Sequence, residues 1–336
     1  MEASRPAVSE ARLVSGLNEA PSANPDFQED VPMTRPDDPG YPRKWLPKGF
    51  AQDARRTNVF DPALKHYGAA YVKATPRFEN EEEEASFRAT RSRLLRKSLA
   101  GIGRSSVAEH LVVRGSIALE LWYGARARPA KDIDLVVIPE TIGPESDDGQ
   151  RLFTELRQAV TQALRDEGLP VEPESIPVDA IWTYERAEGR RLTFPWTWRG
   201  HLRDTVQVDI VFNERMCDAP VSLTVEDVTL RGASPAESLA SKLLWLTNDS
   251  YPQGKDLFDA VLLAEDVRLP AQLLRRVFAE KHGHWSDTYL RGEFPLDPEV
   301  DWKNFALDAP TLAQGRADEH WLRLKRALLR GATTLD

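Results

Sequence analysis

Apolar positions first settle into a helical period over residues 79–100, where Phe87, Leu94, Leu95 and Leu99 make one stripe. The segment opens with Glu81, Glu82, Glu83 and Glu84 and closes with Arg88, Arg91, Arg93, Arg96 and Lys97. Anions near the start and cations near the end complement the helix dipole, so a helix is predicted. Shorter elements then alternate. Residues 111–114 read as a strand, 116–122 as a short helix after a glycine turn, 132–138 as a strand rich in β-branched residues, and 150–167 as an amphipathic helix. Residues 178–211 predict one or more hairpins, with Gly189 and Gly200 as turn candidates. Ser234-Pro235-Ala236-Glu237 then combines a capping serine, a proline at the first helical position and a glutamate at the third. A further helix runs from near Lys255 past Ala264. Mixed strands followed by helices predict an α+β core and a helical C-terminal domain.

Neither period survives between residues 1 and 48, which hold Pro6, Pro21, Pro25, Pro32, Pro36, Pro39, Pro42 and Pro47. That stretch reads as an arm rather than a domain, and residues 50–72 are ambiguous. The expected division is a proline-rich, partly disordered arm over 1–75, a core over 76–230 and a helical domain over 231–336. No internal repeat is visible. With 336 residues and 41% apolar content, the chain can build a real core. No apolar run approaches the length of a membrane span, and the acids in residues 1–22 do not suit a secretory signal. Cys217 stands alone, which excludes an intrachain disulfide framework and a multi-cysteine zinc site. A cytoplasmic protein is expected. The 44 basic and 53 acidic residues leave a net charge of −9, so global electrostatics do not predict a nucleic-acid partner. Any such partner would need a local basic surface.

The chemistry concentrates in Lys131-Asp132-Ile133-Asp134-Leu135-Val136-Val137 and in the preceding Gly115-Ser116 turn. Alternation along a strand puts Asp132 and Asp134 on one face while Ile133 and Leu135 point into the core. Two like charges side by side repel, and a divalent cation such as Mg²⁺ relieves the repulsion with hard oxygen ligands. Asp209 is a third candidate, because Val206, Val208, Ile210 and Phe212 take the buried face of its segment. Glu214 is another acid within reach of that role. Three carboxylates on neighbouring strands would hold two metal ions about 3.5–4 Å apart. A glycine-serine turn at a helix N-terminus offers free N–H groups to phosphate oxygens. These are parts for moving a nucleotide from an NTP.

The turn, the Asp-x-Asp pair and the later acid resemble the DNA polymerase β-like nucleotidyltransferase superfamily, and most closely its AbiEii/AbiGii toxin branch. That branch shows Gly-Gly-Thr-Ala-Leu, Arg-x-Ser-x-Asp-Ile-Asp-Leu, Ala-Glu-Lys-Leu and Arg-Asp-Leu-Tyr-Asp. The corresponding residues are Gly115-Ser116-Ile117-Ala118-Leu119, Arg128-Pro129-Ala130-Lys131-Asp132-Ile133-Asp134-Leu135, Ala240-Ser241-Lys242-Leu243 and Lys255-Asp256-Leu257-Phe258-Asp259. The departures are Ile117 for threonine, Ala130 for serine, Lys255 for arginine and a longer stretch between Ser116 and Asp132. The resemblance spans roughly residues 107–265. It implies a polymerase β-like core with a mixed sheet, Mg²⁺ or Mn²⁺ on Asp132, Asp134 and Asp209, and NTP as substrate. Asp209 would bind the catalytic metal or take the proton of the attacking hydroxyl. Gly115 and Ser116 would hold the β- and γ-phosphates, and Lys242 would add a point charge to the triphosphate. Asp256 matches a helical aspartate whose role stays open, and Arg128 is a candidate for nucleotide or RNA phosphate.

The resemblance further implies a toxin of a toxin–antitoxin or phage-defence system, acting on RNA, with the tRNA 3′ end as leading acceptor and a cognate antitoxin as partner. Transfer to a protein side chain or a small molecule such as an antibiotic is the enzymatic alternative, and a non-catalytic nucleotide-binding module is the alternative of another class. RNA would be sought at the basic end of the helix over 79–100 and among Trp182, Trp196, Trp198, Arg186, Arg190, Arg191 and Arg199. Solvated helix charges and ordinary hairpin packing are the simpler readings of those two regions. His282-Gly283-His284 lacks a third ligand, Gly101-Ile102-Gly103 lacks a dinucleotide-binding context, and Cys217 lacks the setting of a nucleophile.

Overall fold

The computed structural model describes residues 58–64, 71–183, 187–279, 283–294 and 299–332. Most of the expected arm over 1–75, together with Arg186 and His282, lies outside the described residues. Within the first part, β1 (Asn58–Phe60) and β2 (Tyr71–Lys73) pair antiparallel. The charge-graded segment forms helix α1 (Glu81–Arg104), capped by Asn80, whose Oδ1 accepts the Glu82 N–H at 2.8 Å. There follow β3 (Leu111–Arg114), α2 (Gly115–Tyr123), β4 (Asp132–Val137), α3 (Asp147–Asp166), β5 (Asp179–Thr183), β6 (Ala187–Trp198), β7 (Leu202–Val211), β8 (Val221–Val225) and β9 (Val228–Gly232).

The last seven strands form one mixed sheet in the order β5-β6-β7-β4-β3-β9-β8. The β4–β7 and β3–β9 pairs are parallel and the others antiparallel. The period-2 pattern sorts its two faces. Ile133, Leu135, Val137, Val113, Leu192, Val208 and Ile210 join Phe87, Leu94, Leu95 and Leu99 of α1 and Leu152, Leu156 and Val160 of α3 in one core. The opposite face holds a small apolar cluster of Val112, Val136 and Ala233, and it carries the polar residues considered below.

Helices α4 (Pro235–Asn248), α5 (Gly254–Asp266), α6 (Ala271–Phe278), α7 (Gly283–Arg291), α8 (Trp302–Asp308) and α9 (Ala317–Ala332) complete the described chain. Leu239, Leu243, Leu257, Val261, Leu274, Phe278 and Trp321 make a second core, which also takes in Leu119 and Ala127. Helix α2 therefore touches both cores, and the chain that carries the glycine-serine turn is clamped between them. Among the described residues no helix is long and apolar enough to cross a membrane.

Several local expectations change. Gly200 does turn the chain, with φ 75° beside Arg199 at 48°. Gly189 instead lies inside β6, paired with Ile181 and Val211, where a Cβ would sit 2.7 Å from Ile181 Cγ1. The glycine is there for close strand packing. Ser234 caps α4 as expected, accepting the Glu237 N–H at 3.0 Å. The Glu237 carboxylate, however, takes the N–H groups of Cys217 (2.6 Å) and Asp218 (3.1 Å) rather than returning to the cap.

Neither basic region is a bare RNA surface. Arg88, Arg91, Arg93, Arg96 and Lys97 each meet an acid, namely Glu84, Asp204, Glu167, Glu120 and Glu226. Arg190, Arg191 and Arg199 of the hairpin are likewise ion-paired. Trp196 and Trp198 are buried against Phe87, with ring centroids 5.7 and 5.8 Å away. They are core.

Phe87 is fully buried beneath those rings and Phe78. Phe87→Ala should therefore lower unfolding free energy by about 3–5 kcal/mol. Arg93→Ala, removing an exposed ion pair with Glu167, should cost about 0–1 kcal/mol. Urea unfolding of both variants checks the contrast.

Candidate active site

Strand registers assemble a row across the open face. Arg114 of β3 lies opposite Asp134 of β4, Asp134 opposite Asp209 of β7, and Asp209 opposite Arg191 of β6. Two carboxylates therefore stand side by side, about 5 Å apart at the backbone, with a guanidinium on either flank. Asp132, two residues before Asp134 on the same face, pairs in register with Gln207.

The turn after β3 is folded tightly against this row. Gly115 has φ 73°, and a Cβ there would collide with Asp134 Oδ2. The backbone thus approaches the carboxylate as only glycine allows. Ser116 Oγ donates to Asp132 Oδ1 at 3.0 Å. The uncapped N–H groups at the start of α2 lie next to both acids.

Electrostatics separate the acids. Burial alone would raise Asp132, but Lys255, Arg128, the Ser116 hydrogen bond and Arg191 hold it below its ordinary value. Burial, reinforced by Asp132 and Asp209, pushes Asp134 up to about 7. Asp209 is raised by burial, with Arg191 opposing and Asp132 and Asp61 adding to the rise. Arg191 grips Asp209 as a fork, Nε to Oδ1 and Nη2 to Oδ2 each at 2.8 Å, and Gln207 Nε2 adds a bond at 3.2 Å.

This donor set suits a divalent cation. It is all hard carboxylate oxygen, and burial, reinforced by the neighbouring acids, keeps a proton on Asp134 near neutrality. Among the described residues no three acids are already arranged as a chelating group, and Asp209 is held by Arg191. The structure places Asp134 beside Asp209, Gly115 against Asp134, and Ser116 on Asp132.

Lys242, Asp256 and Arg128 assemble elsewhere, around a residue outside the predicted set. Asp259 accepts Arg128 Nε at 3.1 Å on Oδ1 and Nη2 at 3.1 Å on Oδ2. Lys242 Nζ lies 2.6 Å from Asp256 Oδ1 and 3.0 Å from Asp259 Oδ2. All four residues are buried. Burial works against the charged forms of Asp259 and Lys242, yet the two cations hold Asp259 low and the two carboxylates hold Lys242 high. Lys242 is thus a partner in a closed quartet, a different setting from a point charge extended toward a triphosphate. Arg128 is likewise occupied, although its field still reaches Asp132. Half-buried Lys255, on the first turn of α5, lowers both Asp132 and Asp134 through its field.

Arg114 and Asp61 had no place among the sequence candidates, Arg191 was a candidate RNA contact rather than a partner of Asp209, and Asp259 stood in the family motif without a role. Asp259 also had a local signal, standing three residues after Asp256 on one helix face. Glu214, the other candidate third acid, accepts Arg114 Nη1 at 2.7 Å. Beside this pair opens a cleft of about 240 Å³ lined by Gly115, Lys242, Trp245, Arg215 and Arg276. His284 is exposed, and Cys217 is half-buried in that cleft wall.

A family model described as "Nucleotidyl transferase AbiEii toxin, Type IV TA system" matches residues 97–334. The chain belongs to the AbiEii nucleotidyltransferase toxin family. It is accordingly a nucleotidyltransferase of a type IV toxin–antitoxin system, and AbiEii membership implies an NTP substrate and an antitoxin partner. The AbiEii match includes the turn, the acid row and the quartet, and it begins well after Asp61. No curated protein matches the chain. Among solved structures, JHP933 from Helicobacter pylori is similar at 18% identity, covering 74% of this chain and 93% of its own with a TM-score of 0.45. The nucleotidyltransferase toxin MenT4 from Mycobacterium tuberculosis H37Rv is similar at 15% identity, covering 77% and 91% with a TM-score of 0.43. An antigenic nucleotidyltransferase-like protein from Paracoccidioides brasiliensis covers 57% and 89% at 15% identity and a TM-score of 0.31.

Two predictions test the AbiEii site geometry. Asp134 has a folded pKa raised above its unfolded value, so the folded state holds more protons between about pH 4 and 7. Its contribution to stability is lost as pH rises through that window. Without divalent metal, Asp134→Asn should be more stable than the parent at pH 8 by roughly 1–3 kcal/mol, shrinking toward pH 4. Denaturant titrations at pH 4.5 and 8 check this, and a pH-independent difference would contradict it. Gly115→Ala should cost about 1–3 kcal/mol through its positive φ and the collision with Asp134, read by the same titration.

Proposed function

We propose that this chain transfers a nucleoside monophosphate from an NTP to the 3′ end of tRNA, using Mg²⁺ or Mn²⁺ at Asp132, Asp134 and Asp209. The observation that carries the reading is the register placing Asp134 beside Asp209 with Asp132 on the same face. A divalent metal bound there would supply the charge that polarises the α-phosphate and makes the acceptor hydroxyl easier to deprotonate.

The chain's own residues supply the surroundings. Ser116 fixes Asp132 through its hydroxyl, and the opened N-terminus of α2 presents N–H groups to triphosphate oxygens. Asp134 gives up its proton as positive charge enters, so binding strengthens with pH. The quartet of Arg128, Lys242, Asp256 and Asp259 ties α4 and α5 to the segment entering the central strand β4 at Asp132. The cleft continues outward from Gly115 past Trp245 to the exposed Arg215 and Arg276. That is a suitable passage for a phosphate-bearing acceptor, since the cations of α1 are spent on acids. A nucleotide added to the tRNA 3′ end would block aminoacylation and so translation, which the cognate antitoxin would restrain.

Incubation of the protein with each labelled NTP, Mg²⁺ and total RNA tests the reading. Label should appear at tRNA 3′ ends. Asp132→Asn and Asp134→Asn should each lower the rate roughly 10³-fold or more, about 4 kcal/mol of lost transition-state charge stabilisation. Label in protein or a small molecule instead of RNA, or full activity in Asp134→Asn, would overturn it.

A further inference from the structure

Arg191 does more than neutralise Asp209. Its guanidinium uses Nε and Nη2 on Asp209 and turns Nη1 to Asp61 Oδ2, again at 2.8 Å. Arg191 is 5% exposed, so its charge needs a carboxylate partner at all times. Asp61 is built to be that partner. It precedes the short 3-10 turn Pro62–Leu64, where its Oδ1 accepts the Ala63 N–H at 3.0 Å and its carbonyl accepts the Leu64 N–H at 3.0 Å. One carboxylate oxygen is pinned by backbone and the other is left for Arg191. Asp179, opposite Arg191 in the β5–β6 register, is the other acid on that flank.

We propose that Asp61 is a positioning residue for the third carboxylate: by sharing Arg191 it lets Asp209 be released to a cation without stranding a buried guanidinium. The segment ahead of the family-matched region is then part of the active site. Without Asp61, freeing Asp209 would leave the buried Arg191 charge short of a partner, and Arg191 would stay on Asp209. Asp61 also adds negative potential near Asp209, which acts in the same direction. The inference rests on the reading that Asp209 binds a divalent cation.

The test is calorimetric titration of the full chain with MnCl₂ alone, without nucleotide. Asp61→Asn, which keeps the shape and removes the charge, should weaken Mn²⁺ binding roughly tenfold. Arg191→Gln should tighten it by a similar factor, because the competing cation is gone. Arg191→Lys keeps a buried charge but loses the fork, and should also tighten binding if the glutamine variant does not fold. Asp61→Asn should have a smaller effect in the Arg191→Gln background. Opposite signs for the two single variants support the proposal, since a purely structural pair would weaken binding in both. Weakening in both, or unchanged binding in Asp61→Asn, would overturn it while leaving Asp209 as a ligand. If Asp209→Asn binds Mn²⁺ as well as the parent, the metal reading of Asp209 fails and this inference falls with it.

Discussion

The structure is organised around a repulsion. Asp134 and Asp209 occupy adjacent strands at one register level, and Asp132 stands two residues away on the same face. Such neighbours lose free energy unless positive charge is brought to them. Arg114 and Arg191 close the row from both sides, Lys255 adds its field from α5, and Asp134 holds a proton near neutrality. A site arranged this way is expensive as pure scaffolding and favourable as a receiver of cations. The mixed sheet makes it possible, since a parallel β4–β7 pair at its centre aligns two acids whose flanking strands then run antiparallel and supply arginines.

A second electrostatic joint fixes the helices to that sheet. The quartet places two guanidinium or ammonium groups and two carboxylates out of water, each with charged hydrogen-bond partners. A buried pair of this kind adds little net stability relative to an apolar replacement, yet removing one member is costly. What it supplies is registration. Asp256 and Asp259 on α5 and Lys242 on α4 meet Arg128 just before β4, so the helical core cannot slide without breaking charge pairs. The same helix turn then delivers Lys255 toward Asp132.

Alternation made β4 legible, because Asp132 and Asp134 could only share a face once Ile133 and Leu135 were buried. Helix α1 was legible from its charge gradient, and the start of α4 from Ser234 and Pro235. The partners of these residues were not. Arg191 meets Asp209 through the β6–β7 hairpin turned at Gly200, but register between strands far apart in sequence, β4 and β7, decides that Asp134 meets Asp209, and nothing local to either residue encodes it. Gly189 carried a turn signal that close packing on Ile181 overrode. The β8–β9 hairpin passed unread because Glu226 and Asp227 are not a glycine turn, although Glu226 takes φ 52° there. Lys242 looked like a reaching cation because burial at α4 depends on α5, which lies across a loop. Asp61 sat in a stretch where no period identified an element.

Charge bookkeeping at the surface bears on how an acidic chain could hold an acidic polymer. Helix α1 has the strongest basic run, but five of its cations meet acids from β7, α2, α3 and the β8–β9 turn or from α1 itself. Those pairs cancel its field within a few ångströms, and at physiological salt little of it reaches a ligand. The cleft differs in composition. Arg114, Arg215, Lys242 and Arg276 line it; Arg114 is paired with Glu214 and Lys242 with Asp256 and Asp259, so its exposed cations are Arg215 and Arg276, while Glu237 is committed to the N–H groups of Cys217 and Asp218. A modest local excess of positive charge inside a concave wall acts more strongly on a phosphate than the same charges spread over a convex helix, because the low-dielectric walls focus the field. The net charge of −9 disfavours a polyanion over most of the surface, so an RNA acceptor of the kind proposed above would have to be met by the local cations of this cleft.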